Sequence, residues 1–213
     1  MQTVLRLMLC AAVVLPLGGC ENHSDMVSVA DLILQGVGGI GGSDDIARSK
    51  VVSIPYATLG VRLGSSGEAM FVLESRSGAN LQWVGGTQLA LATRDGRILR
   101  TAGFVHNLSG FHDETATQSS PETHDYRYDL ADINAYGVLV RCKDHDAGQE
   151  QVTIIGELHS THHLIEDCAA PDLEWNFRNE FWRDTASGIV WRSIQYVHPG
   201  LDPVSLETLR PSG

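Results

Sequence analysis

Cys20 closes an apolar N-terminal run and directly follows Leu17-Gly18-Gly19. A thiol in that place can carry a thioether-linked lipid, a covalent chemistry no neighbouring side chain offers. Arg6 supplies a short positive region, and Leu7 to Leu17 an uncharged apolar region broken at Pro16. The run is too short for a hydrocarbon core of ~30 Å, so it reads as a cleaved signal ending in a lipobox rather than as a spanning helix. Cys20 is then the acylated first residue of the mature chain, with 1–19 removed as the signal peptide. An ordinary signal with an incidental cysteine is the alternative.

The densest group of potential metal ligands is His159, His162 and His163 with Glu157, Glu166 and Asp167. Zinc needs three or four N, O or S donors in tetrahedral array. On a strand His159 and His163 share one face while His162 takes the other, so no metal site is expected. His106, His112, Asp113, Glu114, His124 and Asp125 offer acid–base pairs. No spacing among them singles out a nucleophile, a base and an orienting group, so no catalytic residue is assigned. The glycine-rich segment 36–42 follows no strand and precedes no Gly-Lys-Ser/Thr, which excludes a phosphate loop, and no cofactor is expected.

Cys10 leaves with the signal, which leaves Cys142 and Cys168 as a candidate disulfide in an exported compartment. Such a bridge stabilises by roughly 3–4 kcal/mol on chain-entropy arithmetic. Two buried free thiols acting as small hydrophobes are the alternative. Among the aromatics, Trp83, Trp182, Trp191 and Tyr196 are candidate glycan contacts, because aromatic faces on a β-surface stack on sugar rings. The competing reading is core, since alternation lets only half of them face out.

The elements that must position these residues are strands. Residues 20–42 form a lipidated tether, a short helix around Val27 to Leu34 and a glycine-rich hinge. The remainder, 43–213, reads as a single β-rich domain. Val51 to Ile54, Leu59 to Leu63, Met70 to Leu73, Leu81 to Val84, Leu89 to Thr93 and Ile98 to Thr101 are short apolar or alternating runs, the last two joined by Asp95-Gly96, a strong hairpin signal. Residues 112–124 are polar and read as a loop. Gly137 to Lys143 and Gln151 to Leu158 predict a hairpin around Asp144 to Gly148. Asn179 to Arg183 and Val190 to Val197 predict another, turning at Ala186-Ser187-Gly188. The expected fold is all-β, a mainly antiparallel sheet folded as a sandwich or partly open barrel, with a short N-terminal helix. With 26 acidic against 15 basic residues the net charge is −11, which argues against nucleic acid and against electrostatic adhesion to anionic lipid.

The segment Thr93-Arg94-Asp95-Gly96-Arg97-Ile98-Leu99-Arg100-Thr101-Ala102-Gly103 resembles the YjbF/GfcB lipoproteins. So do Ile54-Pro55-Tyr56-Ala57-Thr58-Leu59, the strand Glu150 to Leu158, Asn179-Glu180-Phe181-Trp182-Arg183-Asp184, and Ser187-Gly188-Ile189-Val190-Trp191-Arg192-Ser193 with Gln195. The likeness covers nearly the whole mature chain. It implies an all-β, periplasm-facing lipoprotein of the outer membrane, working beside exopolysaccharide- and capsule-export proteins. It supplies no catalytic residues.

The expected function is a non-enzymatic accessory in exopolysaccharide or capsule export or assembly. Its partners are the outer-membrane bilayer through the Cys20 lipid, and polysaccharide-export proteins or the glycan itself. Glu21, where inner-membrane lipoproteins carry Asp, favours outer-membrane delivery by analogy. The alternative is a periplasmic glycan hydrolase using the His/Asp/Glu-rich segments, with His162 and Asp113 as its test positions. A third reading, lipid carriage inside a partly closed barrel, requires a deep apolar cavity.

Overall fold

The computed structural model describes residues 48–86, 88–114 and 123–213. Cys20, the tether, the helix expected over 27–34 and the glycine-rich segment lie outside them, as does the middle of the polar 112–124 stretch. A one-turn helix α1 (Arg48–Val52) precedes twelve strands: β1 (Thr58–Leu63), β2 (Ala69–Ser77), β3 (Asn80–Gly85), β4 (Leu89–Arg94), β5 (Arg97–Ala102), β6 (Gly110–Asp113), β7 (Thr123–Leu130), β8 (Ala135–Ile154), β9 (Glu157–Ala170), β10 (Trp175–Asp184), β11 (Val190–Gln195) and β12 (Val204–Arg210). They make one antiparallel sheet in the order β5-β4-β3-β2-β1-β12-β11-β10-β9-β8-β7-β6. The two edges meet where Thr101 N–H donates to Leu108 O at 2.9 Å and Leu108 N–H donates to Thr101 Oγ1 at 2.9 Å. The sheet therefore wraps into a nearly closed barrel, which hides the edge strands.

Because neighbouring strands alternate in direction, the connections sort to two ends. The β2–β3, β4–β5 and β10–β11 turns share one end with both termini of the described chain, where Thr58 pairs with Arg210. The other end, the cap end, carries the β1–β2, β3–β4, β5–β6, β7–β8, β9–β10 and β11–β12 connections. Inward-facing Leu59, Phe71, Trp83, Leu91, Ile98 and Val140 fill the barrel, and Leu108 and Leu130 are fully buried toward the cap end. Each such side chain contributes about 1.5–3 kcal/mol by leaving water. The interior around these residues is thus packed with side chains.

Two expectations need correction. Val51 to Ile54 is not a strand: Val51 belongs to α1, whose single turn drops its side chain onto an outer cluster with Val152, Ile154, Trp182 and Leu209. The freed carbonyls of Ile54 and Val52 accept from Arg210, the latter at 3.5 Å. Tertiary packing overrides the β-branched composition here. Asp144 to Gly148 is likewise no turn. β8 runs through it, with a bulge between Asp146 and Gly148, which pair with Leu164 and His163. Gly148 takes φ +89° and donates its N–H to Asp146 Oδ1 at 2.8 Å. The actual turn is Ile155-Gly156, both at positive φ. It lacks the Asn/Asp signal because a β-branched residue occupies the first left-handed position.

The bulge has a structural consequence. Ahead of it Cys142 and Asp144 share the inner face with Cys168 and Glu166, whereas beyond it Gly148, Glu150 and Val152 share the outer face with His163, Thr161 and His159. One inserted residue flips the side-chain alternation, and the β8–β9 arm then packs Val152 and Ile154 over Trp182 on the outside of the barrel.

Candidate functional site

A cleft of ≈ 320 Å³ opens at the end of the barrel opposite the cap. Its apolar floor comes from the barrel interior (Leu59, Leu81, Trp83 and Leu206), and its rim from three turns: Gly78-Ala79, Asp95-Gly96 and Ser187 to Val190. Trp83 is 3 % exposed, and its indole N–H donates to Thr93 Oγ1 at 2.9 Å. The floor is therefore pre-formed and its polar atoms already paired. Gly96 has φ +81°, and a Cβ there would lie 2.5 Å from Val190 Cβ, so the Asp95-Gly96 turn closes tightly on the β10–β11 turn. Asp184 fastens that second turn, accepting N–H groups from Ala186 at 3.0 Å and Ser187 at 2.7 Å and the Trp191 indole at 3.1 Å. The Ser187 N–H, more than any other contact, holds the Asp184 carboxyl at about 2, against the effect of burial.

Beside the cleft, a latch across the barrel interior holds the β4–β5 hairpin. Arg97 donates both terminal guanidinium nitrogens to Glu166 on β9, one bond measuring 3.0 Å. The guanidinium also stacks between the rings of Tyr126 and Phe181, 4.8 Å from each centroid. Asn179 donates to Glu166 Oε2 at 3.2 Å and accepts the Tyr196 N–H at 2.9 Å. Gln195 completes the latch from β11: its amide accepts from Ile98 N–H at 2.9 Å and donates to Gly96 O and Ser193 Oγ, both at 2.8 Å. Burial pulls the Arg97 pKa down, but Glu166 more than offsets it, so the guanidinium is held above its ordinary value. Burial lifts the Tyr126 and Tyr128 hydroxyls the other way, keeping them neutral.

The four candidate glycan aromatics do not share a surface. Trp83 is an interior residue that reaches a ligand only as cleft floor. Trp182 is 7 % exposed, stacked on His163 at 4.3 Å and roofed by the β8–β9 arm, with its indole N–H on Glu150 at 2.9 Å. Trp191 is half-buried on the same outer face, stacked on His159 at 3.7 Å. Tyr196 packs on Phe177 against the main core. Strand alternation and the bulged arm scatter Trp83, Trp182, Trp191 and Tyr196 between the barrel interior and its outer face. The cleft rim escaped the sequence reading because turn residues such as Gly78, Ala79 and Ser187 signal only chain reversal.

Cys142 and Cys168 are bridged, directly opposite each other in the β8–β9 ladder with Cα atoms 4.0 Å apart. The histidines of β9 do not converge. His163 contacts Glu180 at 2.8 Å and Glu150 at 3.1 Å, whereas His162 faces Asp146 at 3.5 Å. His162 and Asp113 sit three strands apart, about 14 Å at the usual strand spacing, so they cannot act on one bond. Asp144 pairs across the ladder with Glu166, and burial raises its pKa despite the His124 contact at 2.8 Å. Glu166 is committed to Arg97 and Asn179, however, so these two carboxyls do not form a free acid–base pair.

His106, Asp132 and His198 also come together, Asp132 lying 2.6 Å from His106 Nδ1 and 3.2 Å from His198 Nε2. The chemistry of this set does not suit a metal. His198 Nδ1 accepts the Gly200 N–H at 2.9 Å, so the neutral ring must carry its proton on Nε2, the atom a metal would need bare.

Comparison with known proteins agrees with this architecture. The family model described as "Group 4 capsule polysaccharide lipoprotein gfcB, YjbF" matches residues 34–209. The chain is 24 % identical over 175 residues to an Escherichia coli (strain K12) protein named "Uncharacterized lipoprotein GfcB", covering 78 % of this chain and 82 % of that one. It is also similar in fold to the crystal structure of the hypothetical lipoprotein YmcC from Escherichia coli (K12), with a TM-score of 0.69, 23 % identity, and coverage of 88 % of this chain and 97 % of the other. The segments 93–103, 179–184 and 187–195 that carried the resemblance supply Arg97, Asn179, Gln195 and two of the rim turns, and the chain belongs to the YjbF/GfcB family of capsule polysaccharide lipoproteins.

Proposed function

We propose that the protein is a non-enzymatic accessory in exopolysaccharide or capsule export, anchored through lipid on Cys20 in the outer membrane and facing the periplasm, with the cleft as its glycan-binding site. The observation that carries this reading is the composition of the cleft. Its volume of ≈ 320 Å³ suits one or two sugar units, and Asp95 is the lone carboxylate among its lining residues. Glycoside hydrolysis requires a pair of carboxyls flanking the scissile bond. Among the described residues that line it, the cleft also has no histidine to activate a serine. An apolar floor with a rim of hydroxyls, one carboxylate and the Arg76 guanidinium is equipped to bind and orient a sugar, not to cleave it.

A deletion strain complemented with the full-length protein tests the reading. The wild type restores surface polysaccharide, and Ser187→Trp, which fills the cleft from its rim, does not. Cys20→Ser gives a folded protein that also fails. Unchanged surface polysaccharide in the deletion strain overturns the export role, and full rescue by Ser187→Trp overturns the cleft as its site. Turnover of a glycan panel by the purified lipoprotein would show the alternative, a hydrolase.

A further inference from the structure

The cap end is chemically unlike the cleft end. Val105, Ile133 and Tyr136 are 82 %, 43 % and 64 % exposed there. Val105 and Ile133 stand on the adjacent β5–β6 and β7–β8 connections, and Tyr136 is the second residue of β8; the two connections are tied to each other through His106 and Asp132 at 2.6 Å. His106 in turn lies flat on buried His198 from the β11–β12 connection, with ring centroids 4.6 Å apart. The Ala131–Ile133 turn ends in Asn134 at φ 53°, which fixes the direction in which Ile133 leaves the body. Three apolar groups are therefore held outward on or directly beside cross-braced connections.

The charge on the connections themselves is one-sided, and Arg127, which reaches in from β7 to Gly137 O at 3.1 Å, is a cation beside Tyr136. The six cap-end connections, 64–68, 86–88, 103–109, 131–134, 171–174 and 196–203, contain Glu68, Asp132, Asp172, Glu174 and Asp202 and neither Lys nor Arg. Exposed apolar groups among acidic connections are the ingredients of a protein interface, in which charge sets orientation and partner choice. The acidic connections also discriminate among occupants. Anionic lipid and acidic glycan are repelled by them, and a second copy of this chain would bring like charge onto like charge.

We propose that the cap end docks a protein partner presenting an apolar pocket rimmed by lysine and arginine, into which Val105, Ile133 and Tyr136 insert. This surface lies opposite the cleft and both described chain termini, so docking there leaves the cleft and the N-terminal connection free. It holds whatever the cleft binds.

The test uses the full-length protein in cells of its own host. A photo-crosslinking amino acid replaces Tyr136, or, as a control, Leu158, which is 69 % exposed on the β8–β9 arm. The expected result is a discrete protein adduct from position 136 and none from 158, mapping to a partner peptide flanked by Lys or Arg. Asp172→Lys combined with Glu174→Lys, both exposed, lowers the yield of that adduct by about tenfold or more while the unfolding midpoint of the purified protein is unchanged. An adduct to lipid, glycan or a second copy overturns the proposal. So does the absence of a protein adduct from position 136, or a yield that charge reversal leaves unaltered.

Discussion

Removing Arg97 is the sharpest test of the latch. Arg97→Met keeps a long apolar side chain on the Tyr126 and Phe181 rings but strips Glu166 of its cation. The Glu166 side chain is 7 % exposed, and without Arg97 its remaining donors are Asn179 at 3.2 Å and the Tyr126 hydroxyl at 3.4 Å. Breaking a buried pair from one side costs about 3–5 kcal/mol. The two surviving donors, and the 19 % exposure of Arg97, place the expected loss at the lower edge, roughly 3 kcal/mol. For a domain of this size that is a fall in Tm of about 6–12 °C. Urea unfolding of the wild type, Arg97→Met, Glu166→Gln and the double variant completes the cycle. The double variant should lose less than the sum of the singles, because it buries neither an unpaired cation nor an unpaired carboxylate. A single-variant loss below about 1 kcal/mol, or strict additivity, refutes the latch as an energetic element.

Replacing Cys142 and Cys168 together by serine, or reducing the bridge, should lower stability by roughly 3–4 kcal/mol in urea titrations, leaving the far-UV spectrum of the folded protein unchanged. Gly96→Ala should destabilise and also alter the cleft, because the new methyl meets Val190 at 2.5 Å on a residue with φ +81°; the loss is read from the unfolding midpoint and from glycan binding. Acid should act in two windows. Burial lowers the His198 pKa, so the unfolded chain binds that proton first, and stability falls as pH drops below the ordinary histidine value of about 6.5. Asp184 is held at about 2, so its contribution is full above the ordinary carboxyl value and is lost as pH falls toward 2. His198→Gln should flatten the first window in a stability–pH profile and leave the second in place.

Much of the barrel was legible in the chain because period-two alternation and turn chemistry are local. Asp95-Gly96 forms its hairpin with both residues at positive φ, as that dipeptide favours, and the Ala186-Ser187-Gly188 reversal falls where it was expected. β12 (Val204–Arg210) was missed because no turn dipeptide announces it after Gly200-Leu201-Asp202-Pro203. Asp144 to Gly148 misled for the converse reason. A glycine with a nearby aspartate makes a bulge as readily as a turn, and the choice belongs to β9, which supplies a partner for the residues on both sides.

The residue types that matter here were set by the sequence alone: an N-terminal apolar run ending in Cys20, two further cysteines able to pair, an acidic balance, and a β-strand alphabet with a family-like hairpin. What these residues do was decided in three dimensions. Arg97 and Glu166, or Gln195 and Ile98, are far apart along the chain, and no local pattern can state that they meet across a closed barrel. The same closure buries Trp83 as a cleft floor, hides Trp182 beneath the β8–β9 arm, and gathers Val105, Ile133 and Tyr136 at the opposite end. Side-chain chemistry is carried residue by residue, whereas burial and juxtaposition arise only once the sheet wraps and selects an inside.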